Sequence, residues 1–99
     1  MTTIGINSDW IVVKGHSGYD TIGKDIVCAA ISTLTEATFN YLVATNNKVE
    51  KHDGDGLFII RIDRLNKAGK EIIEAFKEMV KDIESQYPNN VRRVEQWKN

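Results

Sequence analysis

The spacing of the apolar residues changes from every second position to every third or fourth at about residue 25. Apolar residues alternate in TTIGI and DWIVVKGH, and the turn-forming segment Asn7-Ser8-Asp9 separates them. This arrangement predicts two strands joined by a tight turn. Residues 25–45 have helical spacing instead, which predicts a helix with one stripe facing a core. The predicted stripe consists of Ile26, Ala29, Ala30, Thr33, Leu34, Ala37, Tyr41 and Leu42.

A second hairpin and a second helix are predicted after residue 45. The turn-rich DGDG separates KVEKH from LFIIRID, which is typical of two paired strands. A long amphipathic helix begins at about Asn66 and ends before Pro88, and the following VRRVEQW predicts an edge strand. The predicted core face of this helix consists of Leu65, Ala68, Ile72, Phe76, Met79 and Ile83. The order β-β-α-β-β-α-β predicts an α+β two-layer domain, with an antiparallel or mixed sheet and two helices packed on one face.

The composition is that of one globular domain, which we expect to span residues 1–99. The chain carries 13 basic and 14 acidic side chains, and this balance argues against a nucleic-acid partner. No apolar run approaches the roughly 20 residues of a membrane span, and the amino-terminal MTTIGINSDW lacks the features of a signal peptide. A single cysteine cannot form an internal disulfide. We therefore expect a cytoplasmic protein with a free thiol that contacts neither membranes nor nucleic acid.

The segment GHSGYDTIGKDIVCAAIS places a histidine and the only cysteine on either side of a glycine-rich loop. The three glycines Gly15, Gly18 and Gly23 are typical of a loop that moves over a bound peptide. Cys28 lies in the first turn of the predicted helix, where unpaired N–H groups and the helix dipole favour a thiolate. Nearby N–H groups, including that of Cys28, could receive an oxyanion. The segment predicts Cys28 as a nucleophile and His16, at the end of the second strand, as its base.

Two polar residues lie on the same stripe of the predicted helix as Cys28. Asp25, three residues earlier, is expected either to cap the helix or to hydrogen-bond the imidazole of the base. Ser32, four residues later, is expected to orient a substrate carbonyl or the thiolate. In the loop, Tyr19 and Ile22 are expected either to contact an apolar part of the substrate or to pack the loop down.

The residues alone leave other interpretations open. A lone cysteine within the apolar VCAAI is also typical of a small core residue. His52 competes with His16 as the base, although its polar KHDGDG context favours an exposed position. One cysteine and two histidines without close spacing make a poor zinc site, and we expect neither a metal nor a cofactor.

The segments G-H-S-G-Y and G-K-D-I-V-C-A-A-I-S resemble the signature of the bacterial ribosomal-processing cysteine protease Prp family. The resemblance implies a small cytoplasmic endopeptidase with His16 and Cys28 as its catalytic dyad. The other motif positions that match are Gly15, Asp25 and Ser32. The resemblance also implies a substrate, the N-terminal extension of the twenty-seventh large-subunit ribosomal protein, and a homodimer.

Two other classes of function stay open on the sequence. A non-catalytic, ribosome-associated module would use the loop and a sheet edge to bind a peptide. An RNA-binding domain would need a local basic surface from Arg61, Arg64, Lys67 and Lys70, among which acidic residues are interspersed.

Overall fold

The computed structural model describes residues 1–21 and 23–94, which contain five strands and two helices. In chain order these are β1 (Thr2–Ile6), β2 (Trp10–Lys14), α1 (Ile26–Ala44), β3 (Glu50–Gly54), β4 (Leu57–Arg61), α2 (Lys67–Gln86) and β5 (Val91–Val94). The predicted order of elements is confirmed. The part of VRRVEQW that follows Val94 lies outside the described residues.

The two hairpins lie side by side in one sheet, in the order β3-β4-β2-β1-β5. β2 pairs antiparallel with β1 and with β4, so Val13 stands between Ile4 and Phe58. β5 pairs parallel to β1 and is an edge strand, as predicted. Because side chains alternate between the two faces of a strand, Ile4, Val13 and Phe58 share one face, and all three belong to the core beneath the helices. The predicted α+β two-layer fold is confirmed, with a mixed sheet.

α1 packs on the sheet through a different face from the predicted one. Its buried residues are Val27, Ile31, Thr35, Thr38 and Leu42. Of the predicted stripe, Leu42 is buried and Leu34 is half-buried, whereas Ile26 is 56% and Tyr41 64% exposed. The predicted stripe of α1 was therefore wrong, and most of it forms an outer apolar surface.

Two threonines explain the difference between the predicted and the observed core face of α1. The Thr35 hydroxyl donates a hydrogen bond to the carbonyl of Ile31 at 3.0 Å, and the Thr38 hydroxyl donates to that of Leu34 at 2.7 Å. A threonine whose hydroxyl is bonded within its own helix can be buried without an unsatisfied polar group. The core face therefore includes positions that a count of apolar residues leaves out.

α2 is turned by about one position relative to its predicted core face. It begins after the N-cap Asn66, whose side chain accepts a hydrogen bond from the Gly69 N–H at 2.8 Å. Its buried residues are Gly69, Ile73, Phe76 and Val80. Of the predicted face, Phe76 is buried and three residues are half-buried, but Ala68 is exposed and Met79 is 55% exposed. The start of the helix was correctly predicted, and the orientation of its core face was not.

α1 is long and apolar enough to cross a membrane by length and composition, with 19 residues and a mean hydropathy of 1.4. The expectation that no apolar segment approaches the length of a span was therefore wrong. The finding is weak evidence for a span, because a helix that packs in a protein core passes the same test. α1 contributes five side chains to the buried interior.

Candidate active site

Cys28 occupies the third position of α1, next to the cap that begins the helix. The N-cap is Asp25, and its Oδ1 accepts hydrogen bonds from the N–H groups of Val27 at 3.0 Å and Cys28 at 2.9 Å. Capping of this kind satisfies N–H groups that have no partner within the helix. The Cys28 N–H is thus occupied, which removes it from the N–H groups expected to receive an oxyanion.

Cys28 and His16 line the same groove, which has a volume of about 340 Å³ and lies between α1 and the β3–β4 hairpin. Its polar lining includes His16, Cys28, Ser32, Glu36 and Asp53. Cys28 and Ser32 follow each other by one turn on the α1 side, and Val13 and Phe58 supply apolar lining from the sheet. The Cys28 side chain is partly exposed rather than sealed in the core. Cys28 is therefore open to solvent at the groove.

The His16 imidazole rests against the β3–β4 turn. Its Nε2 lies 3.7 Å from Oδ1 of Asp55, and a Cβ placed on Gly56 would lie 3.2 Å from the same Nε2. The His16 side chain is 58% exposed and that of Asp55 is fully exposed, so this contact holds the ring only weakly. Among the hydrogen bonds of the described residues, none joins the ring to Cys28. The two predicted catalytic side chains therefore line one groove without a hydrogen bond between them in the free chain.

The second oxygen of Asp25 fastens the loop to the start of the helix. Asp25 Oδ2 accepts hydrogen bonds from the Ser17 hydroxyl at 2.6 Å, the Tyr19 N–H at 3.0 Å and the Asp20 N–H at 3.2 Å. Burial acts to raise the pKa of the Asp25 carboxyl, but the hydrogen bonds from Ser17 and from backbone N–H groups prevail and lower this pKa to about 2. The imidazole of His16 is not among these partners. Of the two roles expected for Asp25, the structure has the cap.

Ser17 is the site residue that sequence reasoning missed. It is 1% exposed, its N–H donates to the Cys28 sulfur at 3.4 Å, and the Cys28 S–H donates to its hydroxyl oxygen at 3.5 Å. The side chain of Asn90, which precedes β5, donates to the Ser17 carbonyl at 3.0 Å. A serine next to a glycine in a loop is ordinarily read as a turn residue, so no local pattern separates Ser17 from Ser8 or other exposed serines.

Gly15 connects the end of β2 to the hairpin turn. Its φ is +92°, and its N–H donates to the Gly56 carbonyl at 2.8 Å. A Cβ at this position would lie 2.5 Å from the backbone oxygen of Met1. Both the backbone angle and the close approach require a glycine here.

Three of the four loop residues that were expected to meet the substrate, Gly18, Tyr19 and Gly23, are not among the residues that line the groove. Gly18 and Gly23 have φ values of +69° and +90°, and neither lines the groove. The Tyr19 ring packs edge-on against Tyr87, with their centroids 5.4 Å apart at an angle of 83°. Ile22 lies outside the described residues. Of the two expectations for Tyr19, its contact with Tyr87 matches packing of the loop.

His52 is on the other face of the sheet from the groove. It lies on β3 opposite Ile59, between Lys51 and Asp53. Side chains alternate along a strand, and Asp53 lines the groove, so His52 points away from it. Within residues 1–21 and 23–94, no three histidine, cysteine or acidic side chains come together as metal ligands. Of the two histidines, His16 is the one that lines the groove with Cys28.

Comparison of the sequence with known protein families identifies the family of this chain. The sequence profile of the family described as cysteine protease Prp matches residues 1–92. The chain belongs to the Prp family of cysteine proteases. No curated protein sequence matches this chain significantly.

Several solved structures share the fold of this chain. An essential ribosomal processing protease Prp from S. aureus, in complex with a covalently linked product peptide, is 23% identical with a TM-score of 0.84, covering 96% of this chain and 97% of that one. The same protease with a substrate peptide is 21% identical with a TM-score of 0.75, covering 96% and 97%. SMU.848 from Streptococcus mutans is 23% identical with a TM-score of 0.71, covering 96% and 93%.

Proposed function

We propose that Cys28 is the nucleophile of this cysteine protease, with His16 as its general base and acid. The observation that carries the proposal is the position of the sulfur. Cys28 is the only cysteine in the chain, it lies in the first turn of a helix, and it is partly exposed in the groove that His16 also lines. A cysteine protease needs a sulfur that a peptide can reach and an imidazole nearby.

The proposed reaction begins when the Cys28 thiol gives its proton to His16 and the sulfur attacks the scissile carbonyl carbon. This attack gives a tetrahedral intermediate whose oxygen carries the negative charge. Collapse of this intermediate breaks the C–N bond, and the imidazolium gives its proton to the leaving amine. Water deprotonated by His16 then hydrolyses the thioester and restores the thiol.

The imidazole reaches the sulfur by turning away from the β3–β4 turn. Both side chains of the contact between His16 and Asp55 are exposed, so breaking this contact costs little free energy. A bound peptide that orders the loop would complete the site, so that activity depends on a good fit of the substrate. In this arrangement Ser32, one turn beyond Cys28 in the groove, is placed to orient the substrate carbonyl.

We also propose that the substrate is the N-terminal extension of the twenty-seventh large-subunit ribosomal protein, cleaved in the cytoplasm during ribosome maturation. The S. aureus relative is a ribosomal processing protease with a substrate peptide, which supports this choice. Membership in a protease family favours cleavage over the non-catalytic peptide-binding module that the sequence left open. The mixed charge of the chain does not favour RNA as a partner.

The test is incubation of the purified protein with the extended ribosomal protein, followed by intact-mass measurement. Cys28→Ala is expected to abolish cleavage, and His16→Ala is expected to lower its rate by about 10²–10⁴-fold, the usual contribution of general acid–base catalysis. His52→Ala is the matched control and keeps the normal rate. Near-normal cleavage by either of the first two variants removes that residue from the catalytic role. An uncleaved ribosomal protein, together with cleavage of other peptides, refutes the substrate alone.

We further propose a homodimer that covers the outer face of α1. A shallow, mostly apolar groove between α1 and α2 is lined by Ile26, Ala29, Ala30, Thr33, Leu34, Ala37, Met79, Asp82 and Ile83. Apolar faces of this kind on a small domain are typical of association surfaces. Sedimentation is expected to give twice the chain mass. Thr33→Glu, which places a charge in the groove, gives a monomer, whereas Ser8→Glu in the exposed β1–β2 turn does not. A monomeric native protein refutes the dimer.

A further inference from the structure

The Ser17 hydroxyl has used its full hydrogen-bonding capacity. It donates its proton to Asp25 Oδ2 at 2.6 Å, and its oxygen accepts the Cys28 S–H at 3.5 Å and the Tyr19 N–H at 3.4 Å. A hydroxyl has one proton to donate and two lone pairs with which to accept. The hydroxyl therefore presents a lone pair, and not a proton, to the sulfur.

The partner of the Ser17 proton is fixed by charge. Asp25 is a carboxylate at neutral pH, since its pKa is lowered to about 2, and an ionised carboxylate only accepts hydrogen bonds. The bond between Ser17 and Asp25 is buried and charge-assisted, which makes it much stronger than an S–H···O contact. The Ser17 hydroxyl therefore keeps its proton directed at Asp25 and not at the Cys28 sulfur.

We infer that the Ser17 hydroxyl is a positioning group that holds Cys28 as a hydrogen-bonded thiol in the free enzyme. A thiolate at this place would face the lone pair of Ser17 and lose the bond that the thiol makes. The Ser17 N–H, which also points at the sulfur, acts in the opposite direction and favours the thiolate. The Ser17 hydroxyl thus favours the thiol form of Cys28, and the Ser17 N–H favours the thiolate form. A variant without the hydroxyl keeps only the effect of the N–H. The inference rests on the proposed role of Cys28.

Ser17→Ala removes one of the hydrogen bonds to Asp25, the carboxylate that caps α1, and leaves the other titratable groups around the sulfur in place. These are His16, Glu36 and Asp53 in the groove, Asp55 beside His16, and Lys51, which pairs with Glu36 at 3.2 Å. The influence of these groups on the thiol cancels in a comparison of Ser17→Ala with the native protein.

The test is the rate of alkylation of Cys28 by iodoacetamide, followed by mass spectrometry from acid to alkaline pH. Only the thiolate reacts, forming an S–C bond with loss of iodide. Ser17→Ala is expected to react about fivefold faster than the native protein at pH 7, the factor associated with one modest hydrogen bond. The ratio of the two rates falls to about one at alkaline pH, where both proteins are fully thiolate. Ser85→Ala, an exposed serine of α2, keeps the native profile.

A purely structural role for Ser17 gives a different result. Loosened packing changes access to the sulfur, and access multiplies the rate by one factor at every pH. A pH-independent ratio, or a ratio below one at pH 7, overturns the inference. If Ser17→Ala does not fold by circular dichroism, the isosteric variants Ser17→Thr and Ser17→Val replace it, because they differ only in the hydroxyl. The alkylation rate of Ser17→Val divided by that of Ser17→Thr is expected to fall with rising pH in the same way.

This measurement is independent of peptide cleavage. A pH-dependent ratio in a protein that cleaves no peptide supports the role of Ser17 at the thiol and refutes the proposed protease reaction. A pH-independent ratio in an active protease refutes the role of Ser17 alone.

Discussion

The Asp25 carboxylate accepts hydrogen bonds from two separate segments of the chain. Oδ1 binds the first turn of α1, and Oδ2 binds the loop through Ser17, Tyr19 and Asp20. These bonds are made to the ionised form, which is why the pKa is lowered to about 2 even though burial acts against ionisation.

Asp25 makes the stability of the protein depend on pH in the acid range. Because its pKa is lower in the folded chain than the ordinary value near 4, its stabilisation is complete above about pH 4 and is lost as the pH falls through about 2. We expect Asp25→Asn to be less stable than the native protein at pH 5 and to approach it in stability as the pH falls. Urea unfolding at several pH values measures this difference. Parallel loss of stability in both proteins would contradict the role of Asp25.

Gly15 is the loop glycine whose replacement is expected to cost the most. In Gly15→Ala the new Cβ meets the Met1 backbone oxygen as well as an unfavourable φ, whereas in Gly23→Ala only φ is unfavourable and no atom lies within 4 Å. We expect Gly23→Ala to lose about 1 kcal/mol of unfolding free energy. Gly15→Ala should lose clearly more than that. Equal losses in urea unfolding would show that the contact with Met1 is absent in solution.

At the scale of elements, Asn47 joins the end of α1 to the start of α2. Its Nδ2 donates to the Leu42 carbonyl at 3.2 Å and to the Thr45 hydroxyl at 2.9 Å, and its Oδ1 accepts the Asn66 N–H at 2.8 Å. Asn47 is 8% exposed, so water cannot easily replace these bonds. One buried amide thus sets the connection between the helices.

Truncation of Asn47 is expected to destabilise the whole domain. Asn47→Ala removes the partner of the part-buried Asn66 N–H and two further hydrogen bonds, and should lose about 2 kcal/mol of unfolding free energy. Asn40→Ala, at an exposed position of α1, should stay within about 0.5 kcal/mol of the native protein. Thermal and urea unfolding of the two variants make the comparison. A loss at Asn47 no greater than that at Asn40 would refute its structural role.

The positions of the helices and strands were more predictable than the face of each helix that is buried. Alternation, the turn segments, the Asp25 cap and the helix start at about Asn66 are local signals, and they located the seven elements of the described residues. The faces of the helices depend on which residues can be buried. Thr35 and Thr38 enter the core because their hydroxyls bond within the helix, and Gly69 enters the core against Asn47. The spacing of apolar residues does not reveal which polar residues or glycines can be buried in this way.

The candidate site was predictable as far as its motif and no further. His16, Cys28 and Ser32 do share one groove. The remaining parts come from distant positions: Asn90 bonds the Ser17 carbonyl, and the hairpin turn at Asp55 and Gly56 supports the imidazole. These contacts depend on the order of strands in the sheet, which local spacing does not contain.

For the whole molecule, the sheet order predicts unequal protection of the strands from hydrogen exchange. β2 lies at the centre between β4 and β1, whereas β3 is an edge strand whose five residues are all exposed. We expect β3 amides that point away from β4 to exchange about 10²-fold faster than those of β2, since edge amides open without global unfolding. Exchange followed by mass spectrometry tests this at two protein concentrations. Equal protection of β3 and β2 would mean that another segment or a second copy covers this edge.

The bond between Asn90 and Ser17 spans 73 positions of the chain. A polypeptide is made from its amino terminus, so the histidine, the serine and the cysteine of the site all leave the ribosome well before Asn90 does. The parallel pairing of β1 with β5 has the same delay. A nascent chain therefore carries the proposed catalytic motif before the Asn90 amide can bond the Ser17 carbonyl, and the loop acquires this last contact only after β5 has been made.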